Sequence, residues 1–385
     1  MPETRRKNTM AAPVSRPFTT PLVVVFALLA VTGLWYMRVE VVLSGIPVGF
    51  DELIYEKHQL ADGSPLQTKF IGLPPVDGLL SMLVGAFMGG AAGWEPHIQI
   101  QQWYFLLQWF PVICVWTVES HRLFCAGRVV RFTGVFALIY QMIGGAVIAP
   151  IYYALDIAGT ARSRTSKRQL SPAVAKALLP ATLLGYFIPT VLLYLPWHRV
   201  SDNPIDLLQI LIAVWQPAPA LPNLLIQLFT FGKTVAPASS SSRDAQKQRS
   251  QIRRLYAIAG VLSVTTHFLM AWLCAASTDP RVSFSSVLLP DRATRGRDAM
   301  HGLLWIFQID FWVCFVSTLL WSWVAVVDVM QDGGKQASWM NILSVGLLGG
   351  LVSVVLGPGT AVAAGWYWME SVSGKVDNSV PKKRI

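Results

Sequence analysis

Nine long apolar stretches separated by short polar connections dominate the chain. A basic polar segment over residues 1 to 17, with Arg5, Arg6, Lys7 and Arg16, precedes an apolar run from Pro21 to Met37. Further runs follow at roughly 76–93, 102–118, 132–155, 177–197, 205–231, 255–276, 302–327 and 340–368. Each approaches or exceeds the ~20 helical residues that cross a bilayer. The pattern predicts an all-α fold, a polytopic bundle of eight or nine transmembrane helices. It is read as a cytosolic tail over 1–20, a single transmembrane domain over 21–370 and a polar tail over 371–385. The first run lacks a convincing small-x-small cleavage site and so reads as a retained helix. No internal repeat is evident.

Composition agrees with that class. The chain is 53% apolar and only 14% charged, against roughly 25% charged in soluble domains. Its formal net charge of +10 gathers in the N-terminus, two connections and the tail, which fits the positive-inside bias better than a nucleic-acid surface. The connections 157–176 (Arg162, Arg164, Lys167, Arg168, Lys176) and 232–254 (Lys233, Arg243, Lys247, Arg249, Arg253, Arg254) are predicted to face the cytosol. Ser239 to Ser242 in the second reads as a flexible linker. The acidic segment 40 to 75, with Asp51, Glu52, Glu56 and Asp62, is assigned to the lumen. Lys382 and Lys383 match a dilysine retrieval signal of the endoplasmic reticulum, which works only in the cytosol, whereas nine simple crossings would leave the tail in the lumen. A break at Gly357-Pro358-Gly359 that makes the last run a re-entrant pair would remove the conflict. Four scattered cysteines without CxxC or His/Cys ligand spacing point to neither disulfides nor a structural metal.

Ionisable groups inside such a protein are the candidates for function, because a charge near lipid costs several kcal/mol unless paired or facing a cavity. The stretch from Leu106 to Ile157 sets Glu119, His121, Arg122, Arg128 and Arg131 where hydrocarbon meets water. Gln108, Val112, Val115 and Glu119 share one helical face, and Arg122 at i+3 from Glu119 is a local ion-pair partner. In the eighth run Asp310 lies about 11 Å into the hydrocarbon at 1.5 Å per residue. Phe307, Cys314, Ser317 and Trp321 share its face, while Trp305, Trp312 and Leu319 point elsewhere. A neighbouring helix could satisfy that carboxyl through Gln308, Gln141 or Gln216. The run WQPAPALPN, Trp215 to Asn223, carries three prolines that bend a helix and free its carbonyls. Such a kink lined by Trp215 and Gln216 suits an amphiphilic ligand pocket, and equally a structural bend.

A carboxyl in apolar surroundings keeps its proton and can act as a general acid. Aromatic faces then stabilise a carbocation without quenching it, and the chain has fifteen tryptophans. No DDxxD-type aspartate cluster exists to hold magnesium on a diphosphate, so ionisation of a prenyl diphosphate is not expected. Two other classes stay open: a transporter or receptor for a small amphiphilic molecule, and a haem-binding redox protein. The transporter lacks paired discontinuous segments in repeated halves. Haem binding would need paired intramembrane histidines, and only His267 lies well inside an apolar run.

The runs ESHRLFCAGR, YQMIGGAVIAPIYYAL, WQPAPALPN and FQIDFWVCFVSTLLW, in this order between roughly Pro75 and Trp368, resemble the fungal integral-membrane terpene cyclases of meroterpenoid biosynthesis. The likeness is to the ascofuranone and macrophorin type rather than the shorter seven-helix cyclases of the pyripyropene type. It implies protonation and cyclisation of a farnesyl or epoxyfarnesyl chain on a polyketide-derived ring, with no metal and no other cofactor, by a multi-pass protein of the endoplasmic reticulum. Its partners would be a hydrophobic prenylated small molecule and the lipid bilayer. Residue by residue it points to Glu119, Arg122, Gln141, Pro150, Tyr152, Gln216 and Asp310. The chain departs from the expected amide or small polar residue at Cys125-Ala126-Gly127. The expected roles are Asp310 as proton donor and Glu119 as second acid or terminating base, with Arg122, Gln141, Tyr152, Gln216, Trp215 and Trp321 around the substrate.

Overall fold

A computed structural model describes residues 16, 18–122, 128–159, 168, 170–233, 242–332 and 337–379. Outside the described residues lie Arg5, Arg6, Lys7, Cys125-Ala126-Gly127, Arg162, Arg164, Lys167, Ser239 to Ser241 and the Lys382-Lys383 pair. Among the described residues the fold is all-helical, with one isolated bridge between Gln59 and Pro65.

Five helices are long and apolar enough to cross a membrane. They are α1 (Thr19–Leu43), α6 (Pro172–Leu192), α9 (Ser242–Ala276), α11 (Ala299–Asp332) and α12 (Trp339–Leu356). The helices α2 (Pro74–Ala91) and α3 (Pro96–Ser120), bent by 112°, qualify together as a sixth. The expectation of eight or nine spans is therefore corrected to five or six, because several apolar runs are broken in the middle. The other α-helices are the shorter α4 (Thr133–Ile143), α5 (Gly145–Gly159), α7 (Pro204–Trp215), α8 (Leu221–Thr230) and α10 (Phe284–Leu288), and the 22-residue but more polar α13 (Pro358–Ser379).

The run 132–155 is the clearest case. With 11 and 15 residues, α4 and α5 reach only about 16 and 22 Å at 1.5 Å per residue. Helix α4 starts beside the end of α3, where Asn223 accepts from Ser120 Oγ and donates to Thr133 Oγ1, each at 3.2 Å. The chain turns at Gly144, whose φ of 113° suits glycine. Helix α5 then runs back antiparallel to α1, with Met37 against Gly144, Gly33 against Ala146 and Phe26 5.9 Å from Tyr153 between ring centroids. At its far end the Ile157 carbonyl accepts from Arg16, which also pairs with Asp328 of α11. The α4–α5 hairpin thus enters and leaves on the Arg16 face, with its glycine tip inside the bundle.

The last apolar run is broken as Gly357-Pro358-Gly359 suggests. Gly357 has φ 96° and ends α12. There the fully buried Gln108 of α3 accepts from the Gly359 amide at 3.0 Å and from Ser263 Oγ at 2.8 Å, and donates to the Ser263 carbonyl at 2.7 Å and Thr266 Oγ1 at 2.9 Å. The amide thus satisfies backbone freed at membrane depth. Helix α12 starts near Phe18 (Phe18 to Trp339, 6.5 Å between centroids), and α13 descends past Trp321 (Trp366 at 4.9 Å) to bring Glu370 beside Arg122. The pair returns to the face that holds Arg16.

The run 205–231 is broken too, at Gln216 to Ala220. Helix α7 begins on the opposite face, where Gln209 bonds the Gln67 amide at 2.7 Å and the Pro65 carbonyl at 3.1 Å. Helix α8 reaches the Arg16 face at Asn223. Segments 44–73 and 277–298 close the opposite face, the second tied to α1 by Glu40 to Arg292 at 3.1 Å and to the α2–α3 turn by Glu95 to Arg281 at 2.9 Å. Replacing Gln108 by Leu strands the Gly359 amide and is expected to cost about 2–3 kcal/mol, read as a lowered melting temperature of the detergent-purified protein.

Candidate active site

A cavity of about 990 Å³ opens between the loop at Gly45 to Glu56 and the tip of the α4–α5 hairpin. One wall is polar. It carries Arg38 of α1, Gln141, Gly144 and Gly145 of the hairpin, and Asp310 and Cys314 of α11. The facing wall is aromatic and aliphatic, built by Phe87, Phe105, Leu106, Trp109, Tyr186 and Trp215, with Tyr140 and Phe307 beside the acid.

Asp310 is half-buried because it opens on this space. Its Oδ1 accepts from the Ala146 amide in the first turn of α5 and from the Cys314 thiol at 3.4 Å. The Gly145 amide also lies against this carboxyl. Gly145 is what permits this approach: a Cβ there would lie 2.6 Å from Cys314 Sγ and 3.2 Å from Asp310 Oδ1. A helix that begins inside the bundle has unpartnered amides, and Asp310 takes one of them. Of the amide candidates for satisfying Asp310, Gln308 and Gln141 are engaged elsewhere, while Gln216 accepts through Oε1 and its Nε2 has no partner among the described residues. Gln308 donates to the carbonyls of Ser286 and Val287 at 2.8 and 3.2 Å, and Gln141 donates to Gln216 Oε1 at 3.2 Å.

Trp109 Nε1 donates to Tyr140 Oη at 3.3 Å, and Tyr186 donates to the Leu106 carbonyl at 2.9 Å. Trp215 is anchored through its indole to Thr190 Oγ1 at 2.9 Å, and its ring lies 5.2 Å from Phe87, which lies 5.1 Å from Phe307. These edge and tilted contacts hold the rings in place around the space.

Glu119 and Arg122 stand elsewhere. Both are buried in a knot of four charges: Glu119 to Arg122 at 3.0 Å, Arg168 to Glu119 at 3.4 Å, Arg168 to Glu370 at 2.6 Å, and Arg122 to Glu370. Arg122 also donates to the Arg168 carbonyl. None of the four lines the cavity. The i+3 pair expected between Glu119 and Arg122 forms, but as part of a closed network with two partners distant in sequence. Tyr152 and Trp321 also lie outside the cavity lining, in an aromatic core where Tyr152 stacks on Trp116 at 4.3 Å and Trp321 on Tyr153 at 4.7 Å. Trp321 Nε1 donates to Asp156 at 2.8 Å. Pro150 is buried within α5. Of the expected site residues, Asp310, Gln141 and Trp215 meet at the cavity, and Gln216 adjoins it through Gln141.

A family model described as the CtvD domain matches residues 19–371, which is nearly the whole described bundle. The chain belongs to the CtvD-domain family. Similar proteins include terpene cyclase ascI of Acremonium egyptiacum, 23% identical over 369 residues that cover 92% of this chain and 94% of the relative. Terpene cyclase ctvD of Aspergillus terreus is 27% identical over 342 residues, 85% of this chain and 93% of the relative. The FAD-dependent monooxygenase verC1 of Penicillium polonicum is 26% identical over 266 residues, 68% of this chain but 31% of that protein. No solved structure matches the chain.

In this CtvD-domain chain several cavity residues escaped sequence reasoning: Arg38, Phe87, Phe105, Trp109, Tyr140 and Tyr186. Phe105 and Trp109 are spaced i, i+4, a signal that was available in the sequence. Arg38 sits one residue beyond the first apolar run, where a basic residue reads as a helix end. Among the described residues no three His, Cys, Asp or Glu side chains converge as a metal-ligand set. Breaking the buried knot by Arg122→Met leaves Glu119 and Glu370 short of a partner and is expected to destabilise the protein by about 3–5 kcal/mol. The loss should appear as a smaller folded peak in fluorescence-detected size exclusion.

Proposed function

We propose that the chain is a membrane-bound terpene cyclase that protonates and cyclises a farnesyl or epoxyfarnesyl chain carried on a meroterpenoid intermediate. The observation that carries this reading is one acid, Asp310, placed on the polar wall of a membrane cavity whose other wall is aromatic. The names of the ascI and ctvD relatives support the reaction class.

In this mechanism Asp310 gives its proton from Oδ2, the oxygen that does not accept from the Ala146 amide or the Cys314 thiol. The Ala146 amide and the Cys314 thiol on Oδ1 are already oriented to stabilise the carboxylate that remains, so little reorganisation accompanies transfer. Trp109, Phe105, Phe307 and Trp215 face the carbocation as it moves along the folded chain, each close ring worth about 0.5–2 kcal/mol. The same walls exclude water that would quench the cation early. Gln141, held by Gln216, orients a substrate oxygen. Glu119 is assigned to the ion-pair knot that fixes α3, the 168 segment and α13, rather than to proton transfer. No step is routed through a metal.

The count of crossings belongs to the same proposal. With α4–α5 and α12–α13 re-entrant, both ends of the described chain fall on the Arg16 face, taken as cytosolic by its basic connections. The cavity then opens toward the lumen, and a cytosolic tail is compatible with retrieval to the endoplasmic reticulum.

Asp310→Asn in a microsomal assay is expected to lower product formation by roughly 10²–10⁴-fold at unchanged protein level. Full activity would remove Asp310 from the donor role. Trp109→Leu is expected to lower turnover about 10-fold through lost cation stabilisation and to release prematurely quenched products, visible by mass spectrometry.

A further inference from the structure

Arg38 lines the cavity on the same wall as Asp310. It lies near the loop end of α1 and is half-buried. It turns inward to the hairpin and donates to the Met142 carbonyl at 3.1 Å, with a longer bond to the Met37 carbonyl at 3.4 Å. A guanidinium has five N–H donors, so two carbonyls leave most of them open. Among the described residues no carboxylate lies within ion-pair distance of it. Asp310 is held by the Ala146 amide and Cys314 instead. Glu52 at the cavity mouth is exposed and bonded to Lys57 at 2.7 Å, where water screens it. The charge it feels across the cavity wall is Asp310, which lies beyond ion-pair distance, so the open donors of this half-buried guanidinium face the space a ligand fills.

We propose that Arg38 is the subsite for an ionisable oxygen, a carboxylate or phenolate, on the head of the substrate. This deepens the cyclase reading and rests on it for the prenyl chain. A planar fork of donors suits such oxygens two at a time. With the head held at Arg38 and the reacting end at Asp310 on one wall, the prenyl chain folds back along the aromatic wall.

The test uses unreactive ligands, so that it does not depend on turnover. A benzoic acid bearing a fully saturated farnesyl chain and the matching benzyl alcohol are titrated against the full chain in nanodiscs, read by tryptophan fluorescence. The native protein should favour the acid. Arg38→Met should weaken the acid about 10–100-fold, the range of one charge-assisted bond, and change the alcohol by less than about 3-fold; Arg38→Lys should restore part of the preference. Unchanged alcohol binding reports an intact fold. Equal weakening of both ligands in Arg38→Met and Arg38→Gln, or no weakening of the acid, overturns the proposal. Asp310→Asn should keep the preference for the acid. A protein that shows that preference but makes no cyclised product would sink the cyclase reading and leave the Arg38 subsite standing.

Discussion

A helix that starts in the middle of a membrane protein leaves amides that hydrocarbon cannot satisfy, and the rest of this structure answers to that constraint. Helix α5 begins at Gly145, far from either face, and the Ala146 amide is taken by the carboxyl of Asp310. The acid is thus fixed by backbone rather than by a flexible side chain. That bond is made to Oδ1, and the carboxyl lines the cavity. The absence of a Cβ at Gly145 and the reach of the Cys314 thiol complete the arrangement. A site defined by backbone amides resists drift, which suits a reaction whose outcome depends on which carbon receives a proton.

The same constraint recurs where α12 meets α13. There Gln108 supplies acceptor and donor to a second break, and both broken pairs return the chain to the face from which it came. The backbone freed at the two breaks is met by Asp310 at the first and by Gln108 at the second. The buried knot of Glu119, Arg122, Arg168 and Glu370 ties the ends of α3 and α13 together on that face. None of its four members lines the cavity, which lies toward the opposite loops and carries Asp310 and Arg38 on its wall with Asp51, Glu52 and Glu56 at its mouth.

The helical class, the shared face of Asp310 with Phe307 and Cys314, and the break at Gly357-Pro358-Gly359 were legible in the sequence because each follows from helical spacing or from glycine and proline chemistry. The number of crossings was not. A 24-residue apolar run looks like one span, and only the Gly144-Gly145 pair within it hinted at a turn. Glu119 also misled, since a carboxylate at a helix end reads alike whether its partner is a substrate or an arginine 49 residues away. The aromatic wall was readable as i, i+4 pairs on α3, but which rings face a cavity and which, like Tyr152 and Trp321, fill the core depends on tertiary packing that spacing alone does not encode.

The most direct test is a cryo-electron microscopy structure of the chain in nanodiscs with a saturated, unreactive prenyl analogue bound. The account predicts the end of the prenyl chain within about 3.5 Å of Asp310 Oδ2, with its length along Phe105, Trp109 and Phe307. An analogue seated beside Glu119, or a carboxyl of Asp310 closed off from the ligand, would contradict it.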